Sequence, residues 1–447
     1  MKRITYYYLL RWRNEPHRKP LLLRGARQVG KTFVVREFGK QFKSYVEVNF
    51  ELLPQAIRIF ELDLQPERII RDLSILLERS IEPGKTLLFF DEIQRAPKAI
   101  AALRYFYELM PLLHVITAGS LLDFALEKIG LPVGRISMLY MHPLCFLEFL
   151  SAKNNPLLLE AILNSPPTHP LSPPIHEKLL RCLAEYFAIG GMPAAMQQWL
   201  DSGDINKCVR IHSELLETYR QDFPQYSKKH QQEYVELVFN ELPLFIGKRF
   251  KFSSLASGQL KKRELNPALD LLIKAGIIHK VVHASGQGIP LGASARPEIF
   301  KTIFLDCALS QKALGAKAGN WLLDGQAMFI NKGEVAEAFV GQELVAASPP
   351  YEKNSLYYWH REARSSNAEV DYLMQLEDSI IPVEVKSGST GSLRSMHAFL
   401  NEHPNSPYGV RFSMGNYSIQ DRIHSYPLYS AGIKAGMDQS AIEYLVQ

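Results

Sequence analysis

The chain has 447 residues, of which 47% are hydrophobic and 22% charged, and its formal net charge is +5. This length accommodates two or three domains of roughly 100 to 200 residues each, and the composition excludes a disordered or fibrous protein. The small positive charge permits contact with nucleic acid, but it does not indicate a strongly basic binding protein.

The cysteines and the N-terminal segment suggest a reducing compartment. Cys145, Cys182, Cys208 and Cys307 are far apart and form no CxxC pair, so we expect neither a zinc knuckle nor a disulfide framework. Residues 1–12 lack the apolar core of a signal peptide, and no stretch approaches the roughly 20 apolar residues of a membrane span. We therefore expect a cytoplasmic protein without membrane insertion.

The N-terminal part of the chain, to about residue 152, has the pattern of an α/β domain. The apolar segment Pro20 to Leu23 predicts a strand, and a helix begins near Lys31 after a glycine-rich loop. A helix is predicted over Pro97 to Leu109. Further strands are predicted at Tyr45 to Asn49, Thr86 to Phe90 and Leu113 to Thr117. The alternation of strands and helices predicts a mostly parallel sheet.

The loop after the first strand matches the pattern G-x-x-x-x-G-K-[ST]. Glycines at 25 and 30 permit a tight turn that points backbone N–H groups at phosphate oxygens, and the helix start adds its positive end. In such a loop the lysine meets the β- and γ-phosphates and the threonine hydroxyl ligates Mg²⁺. A chance glycine turn is the alternative, but the strand before the loop and the helix after it favour ATP binding. The predicted binding residues are Gly25, Ala26, Arg27, Gln28, Val29, Gly30, Lys31 and Thr32.

Two acids, Asp91 and Glu92, end the apolar strand 87–90. The carboxyl end of a buried strand lies at the ligand crevice, where Asp91 can hold the magnesium shell and Glu92 can orient or activate the attacking water. Together with Lys31 they form the predicted catalytic machinery for ATP hydrolysis. The alternative is an exposed loop after an ordinary strand.

Two more residues are candidates for contact with the nucleotide. Ser120 follows the next strand and could act as a sensor of the γ-phosphate, although Ser120 and Asp123 also resemble a helix-capping pair. Arg135, in the segment 133–135, could contribute a cation to the phosphates. A solvated surface arginine is the alternative for Arg135.

The remainder of the chain predicts three further parts. Residues 153–228 form a small helical lid, interrupted by the proline-rich loop Asn164 to Pro174. Residues 229–320 read as helix, short helix, helix and then the strand Ile277 to Val282, which suggests a winged helix-turn-helix. Residues 321–447 return to an α/β pattern. Its predicted helices are Val335 to Ala347 and Leu393 to Leu400, and its predicted strands are Leu356 to His360, Ala368 to Gln375 and Ser379 to Lys386.

These motifs resemble a family of prokaryotic AAA-type ATPases that carry RGxRQVGKT and FFDEIQ and are followed by a C-terminal domain of unknown function. The resemblance covers nearly the whole chain. It includes Arg24 to Thr32, Phe89 to Gln94, Gly119-Ser120, Gly134-Arg135, His142-Pro143, Phe146 to Phe149, Gly190 to Pro193 and the tail. It implies an ATP-dependent switch with a helical lid, a winged helix and a nuclease-like C-terminal fold. It also implies that the turn Gly190 to Pro193 contacts the nucleotide; a simple turn between two lid helices is the alternative.

In the tail, Asp371 and the segment Glu384-Val385-Lys386 have the D…ExK arrangement of restriction-endonuclease-like folds. Asp371 and Glu384 on neighbouring strands can share Mg²⁺, and Lys386 can position water for phosphodiester hydrolysis. Glu343 could complete the cluster. A buried ion-pair network would use the same residues.

The predicted winged helix carries six basic residues that could neutralise the phosphates of duplex DNA. They are Lys248, Arg249, Lys251, Lys261, Lys262 and Arg263. Solvated lysines on a protein-interaction module would look the same. The leading hypothesis is therefore an ATPase whose nucleotide state repositions a DNA-binding and nuclease-like tail, and the alternative is a nucleotide-gated interaction scaffold, bound to a protein partner, with a non-catalytic tail.

Overall fold

The structure is a computed structural model, and it describes residues 1–119, 122, 124, 126, 130, 134–166, 168–252, 255, 261–325, 333–361, 368–388 and 392–446. The chain divides into two compact units. The N-terminal unit comprises residues 2–142 and 350–353, and the C-terminal unit comprises Met1, residues 143–349 and residues 354–447. The first boundary between the units follows His142, and the division into four parts stays a prediction. Among the described residues, no helix is long and apolar enough to cross a membrane.

A parallel sheet forms the centre of the N-terminal unit. Its strands are β1 (Leu21–Arg24), β2 (Ser44–Asn49), β3 (Thr86–Asp91), β4 (His114–Ala118) and β5 (Ser137–Tyr140). Over the described residues the strand order is β2-β3-β4-β1-β5, and each neighbouring pair is parallel. The predicted parallel sheet is confirmed. The sequence did not predict β5, because Leu139 is its one buried residue and it therefore forms no apolar run.

Helices pack against both faces of this sheet. They are α1 (Ile4–Arg13), α2 (Lys31–Gly39), α3 (Gln55–Leu62), α4 (Pro66–Leu77) and α5 (Pro97–Leu109). All residues of β3 and β4 are buried, as expected for central parallel strands covered on both faces. Phe50, Phe60, Phe90 and Phe106 belong to one aromatic core. Polar side chains can therefore meet a ligand at the ends of these strands, and Asp91 lies at such an end.

The C-terminal unit contains helices along its whole length. Its helices are α6 (Phe146–Ala152), α7 (Pro156–Leu163), α8 (Pro173–Ile189), α9 (Pro193–Ser202), α10 (Ile205–Tyr226), α11 (Gln232–Glu241), α12 (Lys262–Lys274), α13 (Cys307–Ala313), α14 (Gly319–Leu323), α15 (Gly333–Ala347), α16 (Arg394–Glu402), α17 (Ala431–Lys434) and α18 (Gln439–Val446). Pro173 occupies the first turn of α8, where a missing backbone N–H is tolerated.

A mixed sheet forms the rest of this unit. Its strands are β6 (Ile278–Ala284), β7 (Ala295–Phe304), β8 (Leu356–His360), β9 (Glu369–Leu376), β10 (Ser379–Val385), β11 (Gly409–Ser413), β12 (Ser418–Gln420) and β13 (Ile423–Pro427). Among the described residues the order is β12-β13-β11-β10-β9-β8-β6-β7.

The sheet crosses the boundary predicted between residues 320 and 321. β6 pairs antiparallel with β7 and parallel with β8, so the strand assigned to the winged helix shares a sheet with the tail. An isolated hairpin would leave the second edge of β6 unpaired, and β8 satisfies that edge. The helices and the β6–β7 hairpin follow the order of a winged helix, but the hairpin is not a separate wing.

Candidate functional site

The glycine-rich loop lies between the carboxyl end of β1 and the N-terminus of α2. Gly25 has φ of 150°, and a Cβ there would lie 2.2 Å from the carbonyl oxygen of Met141. Gly30 has φ of 97° and is the N-cap residue of α2. These two positions require glycine, the first because of the neighbouring backbone and the second because of its left-handed conformation. The loop is thus shaped for the phosphate-binding role predicted from its motif.

Lys31 is buried inside this loop. Its Nζ donates hydrogen bonds to the carbonyl oxygens of Gly25 at 2.8 Å and Ala26 at 2.7 Å. Burial lowers the pKa of Lys31 to about 8, although Glu92 and Asp91 favour its charged form. An ammonium held among backbone carbonyls, with little solvent around it, gains strongly from an incoming phosphate.

Thr32, in the first turn of α2, meets Asp91 at the end of β3, although β4 lies between β3 and the strand β1 that precedes the loop. The Thr32 hydroxyl donates to Asp91 Oδ2 at 3.0 Å. Asn49, opposite Asp91 on β2, approaches the same oxygen with its Nδ2 at 3.4 Å. Burial raises the pKa of Asp91, and the hydrogen bond from Thr32 opposes that shift. Hydroxyl and carboxylate oxygens are the ligands that Mg²⁺ prefers, so these two residues fit the predicted metal role.

Glu92 follows Asp91 in a left-handed conformation, with φ of 51°. Its carboxylate accepts a hydrogen bond from the Gln94 side-chain amide. A Cβ on Gly119 would lie 2.1 Å from Gln94 Oε1, so glycine at the end of β4 makes room for this side chain. The sequence did not identify Gln94 or Asn49 as site residues. Gln94 follows Glu92 by two residues and was a usable signal, whereas Asn49 lies opposite Asp91 only because β2 pairs with β3. Ser120 and Asp123 lie outside the described residues.

Arg135 lies just before β5, at the amino ends of the strands, whereas the glycine-rich loop lies at their carboxyl ends. The strand after it, β5, starts with Ser137 opposite Leu21 and ends with Tyr140 opposite Arg24. The glycine-rich loop follows Arg24, and a strand rises about 3.3 Å per residue, so the length of β1 separates Arg135 from the loop. Its Nε instead donates to Glu108 Oε1 at 2.8 Å on the surface. In the structure Arg135 thus pairs with Glu108, and its contact with a nucleotide stays a prediction.

The turn Gly190 to Pro193 connects α8 and α9. Gly190 has φ of 74°, and the Gly191 N–H donates to Asp306 Oδ2 at 2.6 Å. The other oxygen of this buried carboxylate caps α13 by accepting from the N–H groups of Ala308 and Leu309, each at 2.9 Å. These contacts explain the turn as a packed helix connection, and its contact with a nucleotide stays a prediction.

The tail residues Asp371, Glu384 and Lys386 lie together on β9, on β10 and just after β10. Asp371 Oδ2 accepts the Val385 N–H at 2.7 Å, and the Lys386 ammonium contacts Glu384. Burial and the nearby Asp371 raise the pKa of Glu384 to about 7. The three residues that the D…ExK pattern joins thus lie close together, and their role in cleavage stays a prediction.

A lysine from another strand lies within this cluster. Lys301 on β7 is 1% exposed, and its Nζ lies 2.6 Å from Glu369 Oε1, 2.9 Å from Glu337 Oε1 and 3.8 Å from Asp371 Oδ1. Sequence analysis missed Lys301, Glu337 and Glu369, although a single lysine in the apolar run 299–305 was a usable signal. Over the described residues, no group of three or more His, Cys, Asp or Glu side chains is arranged to hold a metal ion.

Glu343 does not complete this cluster. Its Oε1 accepts the N–H of Phe146 at 2.9 Å, at the start of α6, and burial raises its pKa to about 8. On α15 the residue that faces Lys301 is Glu337, and six residues further along a helix lie about 120° around its axis. The expectation for Glu343 is therefore wrong.

The six basic residues of the predicted winged helix are exposed: Lys248, Arg249, Lys251, Lys261, Lys262 and Arg263. The last three flank the N-terminus of α12, where the Lys261 N–H donates to Glu264 Oε2 at 3.0 Å. The Lys262 ammonium lies 5.7 Å from the centre of the Phe252 ring. These side chains are accessible to an anionic partner.

The solved structures that are similar to the chain include the following two. One is a Walker-type ATPase of Pyrococcus abyssi, with 16% identity and a TM-score of 0.45, over 69% of this chain and 94% of that one. The other is the ORC1 protein of Aeropyrum pernix in complex with DNA, with 16% identity and a TM-score of 0.28, over 70% of this chain and 90% of that one. No curated protein matches the chain.

Three family models match consecutive parts of the chain. Residues 180–320 match a domain of unknown function (DUF8612), and residues 332–431 match another (DUF4143). Residues 17–150, which carry the glycine-rich loop and both acids, match a family described as an AAA domain. This part of the chain is therefore similar to the AAA-domain family.

Proposed function

We propose that the protein binds ATP with Mg²⁺ and hydrolyses it. The observation that carries the proposal is the 3.0 Å contact between the Thr32 hydroxyl and Asp91, beside the buried ammonium of Lys31. This contact brings the two predicted magnesium ligands together at the carboxyl edge of the sheet, where open α/β sheets bind ligands. An ordinary surface loop would not need a buried lysine and a buried aspartate in this arrangement.

Each side chain has a distinct role in this proposal. The loop amides and Lys31 bind the phosphates, and Thr32 and Asp91 hold Mg²⁺. When bound, the metal neutralises charge on the phosphate oxygens. Glu92 orients the attacking water and accepts its proton. The Gln94 amide fixes the Glu92 carboxylate, and Asn49 supports Asp91.

Steady-state turnover of ATP tests these roles. We expect Glu92→Gln to lower kcat by about a hundredfold or more while MgATP still binds, because the amide cannot accept the proton. Lys31→Ala should lose binding. Glu108→Gln, in the exposed ion pair at the amino ends of the strands, is the control and should keep wild-type turnover. Wild-type turnover by Glu92→Gln would show that another group orients the water.

We also propose duplex DNA as a partner of the C-terminal unit, controlled by the nucleotide state. The six exposed basic residues 248, 249, 251 and 261–263 support this proposal, because clustered cations release counterions from DNA. Replacing Lys261, Lys262 and Arg263 by alanine should reduce the slope of log affinity against log salt by about three. A protein partner at this surface would instead leave DNA affinity unchanged in the triple variant.

For the tail, Lys301 favours the non-catalytic alternative over DNA cleavage. Its ammonium lies 3.8 Å from Asp371 Oδ1, and the other Asp371 oxygen accepts the Val385 N–H. Glu384 pairs with Lys386, so both acids that a divalent metal would need already face a cation. We therefore propose that Asp371, Glu384 and Lys386 stabilise the fold. Purified protein should not nick duplex DNA with Mg²⁺ or Mn²⁺. Nicking that Glu384→Ala abolishes, without loss of ATP turnover, would overturn this proposal.

A further inference from the structure

Arg3 connects two backbone segments beside the phosphate-binding loop. Its Nη1 donates to the carbonyl oxygen of Val29 at 2.8 Å, and its Nη2 donates to the carbonyl oxygen of His142 at 2.6 Å. The residue is 5% exposed. Val29 belongs to the loop itself, and His142 follows Met141, whose carbonyl oxygen faces Gly25. The guanidinium thus ties the end of the loop to the segment that supports its beginning.

The contact with Val29 fixes the orientation of a peptide group. In a trans peptide the C=O of one residue and the N–H of the next point in opposite directions, and among the described residues the one cis bond is Ile289-Pro290. With its oxygen bonded to Arg3, the Val29–Gly30 peptide therefore directs the Gly30 N–H away from the guanidinium. Without Arg3 this carbonyl would lose a buried, charge-assisted partner, and the peptide would be freer to rotate.

The position of Arg3 is itself well fixed. It is the N-cap residue of α1, and α1 packs against α2 through Tyr6 and Trp12, whose rings lie 5.8 Å and 6.4 Å from the ring of Phe38. The helix that follows the loop therefore also holds the helix that carries Arg3. A planar guanidinium can bond two carbonyls at once, whereas a lysine offers a single charged point.

We infer that Arg3 is a positioning residue of the ATP site, which holds the Val29–Gly30 peptide so that the Gly30 N–H is available to a phosphate. The inference rests on the proposed function, because it requires a nucleotide at the loop. Arg3 does not touch the reacting atoms in this assignment. Its loss should weaken binding of di- and triphosphates and leave the chemical step of bound ATP nearly unchanged.

Calorimetric titration of the full chain with MgADP, together with ATPase kinetics, tests this inference. We expect Arg3→Ala to raise the Kd of MgADP and the KM of ATP by about tenfold, the effect of losing one well-oriented hydrogen bond. The kcat at saturating ATP should remain within about threefold. Arg3→Lys should lie between Arg3→Ala and wild type, and added guanidinium at millimolar concentration should partly restore binding to Arg3→Ala.

Arg18 provides a matched control. Its guanidinium also donates to backbone carbonyls, those of Arg13, Pro111 and Leu112. Pro111 and Leu112 lie just before β4, at the end of the sheet away from the loop. Arg18→Ala should lower the melting temperature without changing the Kd of MgADP.

Equal Kd values for Arg3→Ala and wild type, or an equal loss in Arg18→Ala, would overturn the inference. If Arg3→Ala does not fold, an unchanged Kd in Arg3→Lys has the same meaning. A wild-type protein that binds no nucleotide would instead overturn the proposed function.

Discussion

Replacing Lys301 by methionine should strongly destabilise the C-terminal unit. The substitution keeps most of the side-chain volume and removes the charge that lies 2.6 Å from Glu369 and 2.9 Å from Glu337. Breaking a buried ion pair by removing one partner costs about 3–5 kcal/mol, because the other charge stays buried without compensation. Protonation of Glu337 limits the loss, so we expect about 3 kcal/mol at pH 8.

The loss should depend on pH in a defined direction. Burial raises the pKa of Glu337 to about 8 from its ordinary 4.5, so between these values the folded state binds more protons than the unfolded state. Stability therefore falls as pH rises through this window. Without Lys301 the pKa of Glu337 rises further, and the variant should lose less stability at pH 5 than at pH 8.

Urea unfolding followed by circular dichroism, with hydrogen exchange localised to β7 and β9, measures this effect. Lys280→Met on the neighbouring strand is the control, because its ion pair with Asp270 is longer, at 3.5 Å, and more exposed. It should cost less than about 1 kcal/mol. Equal losses in the two variants at pH 8 would refute the assignment of Lys301 as the internal cation of the cluster.

Three further predictions concern stability and the loop. Burial lowers the pKa of His114 to about 4. The unfolded chain therefore binds more protons than the folded chain between pH 6.5 and 4. The free energy of unfolding of the N-terminal unit should fall by about 2 kcal/mol as pH falls through this window. The fluorescence-monitored unfolding of His114→Phe should lack this dependence. Gly25→Ala should abolish MgATP binding in calorimetry, because the new Cβ would meet the Met141 backbone. A Cβ at position 134 would have no atom within 4 Å, so Gly134→Ala should bind MgATP normally. Normal binding by both variants would contradict the proposed loop geometry. Asp306→Ala should cost about 3 kcal/mol, since it leaves the buried N–H groups of Gly191, Ala308 and Leu309 unpaired. Asp204→Ala, which removes the half-buried cap of α10, should cost about 1 kcal/mol. Equal midpoints in thermal unfolding would refute this.

Features encoded by contiguous residues could be predicted from the sequence. The loop 25–32, the strand before it and the helix after it follow from local conformational requirements, and so does the position of Asp91 and Glu92 at the end of an apolar strand. The helix Pro97–Leu109 and the strand Leu356–His360 have the bounds that the pattern predicts.

Features that depend on strand order could not be predicted. Arg135 precedes β5, and only the register of β5 with β1 places it at the amino ends of the strands. Lys301 reaches the acids of the tail because β6 and β7 join the sheet of β8 to β10. Arg3 contacts Val29 across 26 residues, and no local motif marks a guanidinium that bonds backbone carbonyls.

Titration of the full-length protein with MgATP, by calorimetry, tests the central claim most directly. We expect saturable binding to wild type and to Glu108→Gln. Binding to Lys31→Ala should be weaker by about a hundredfold or more, because the buried ammonium supplies the main charge for the phosphates. Equal heats for wild type and Lys31→Ala, or no heat for folded wild type, would contradict the central claim.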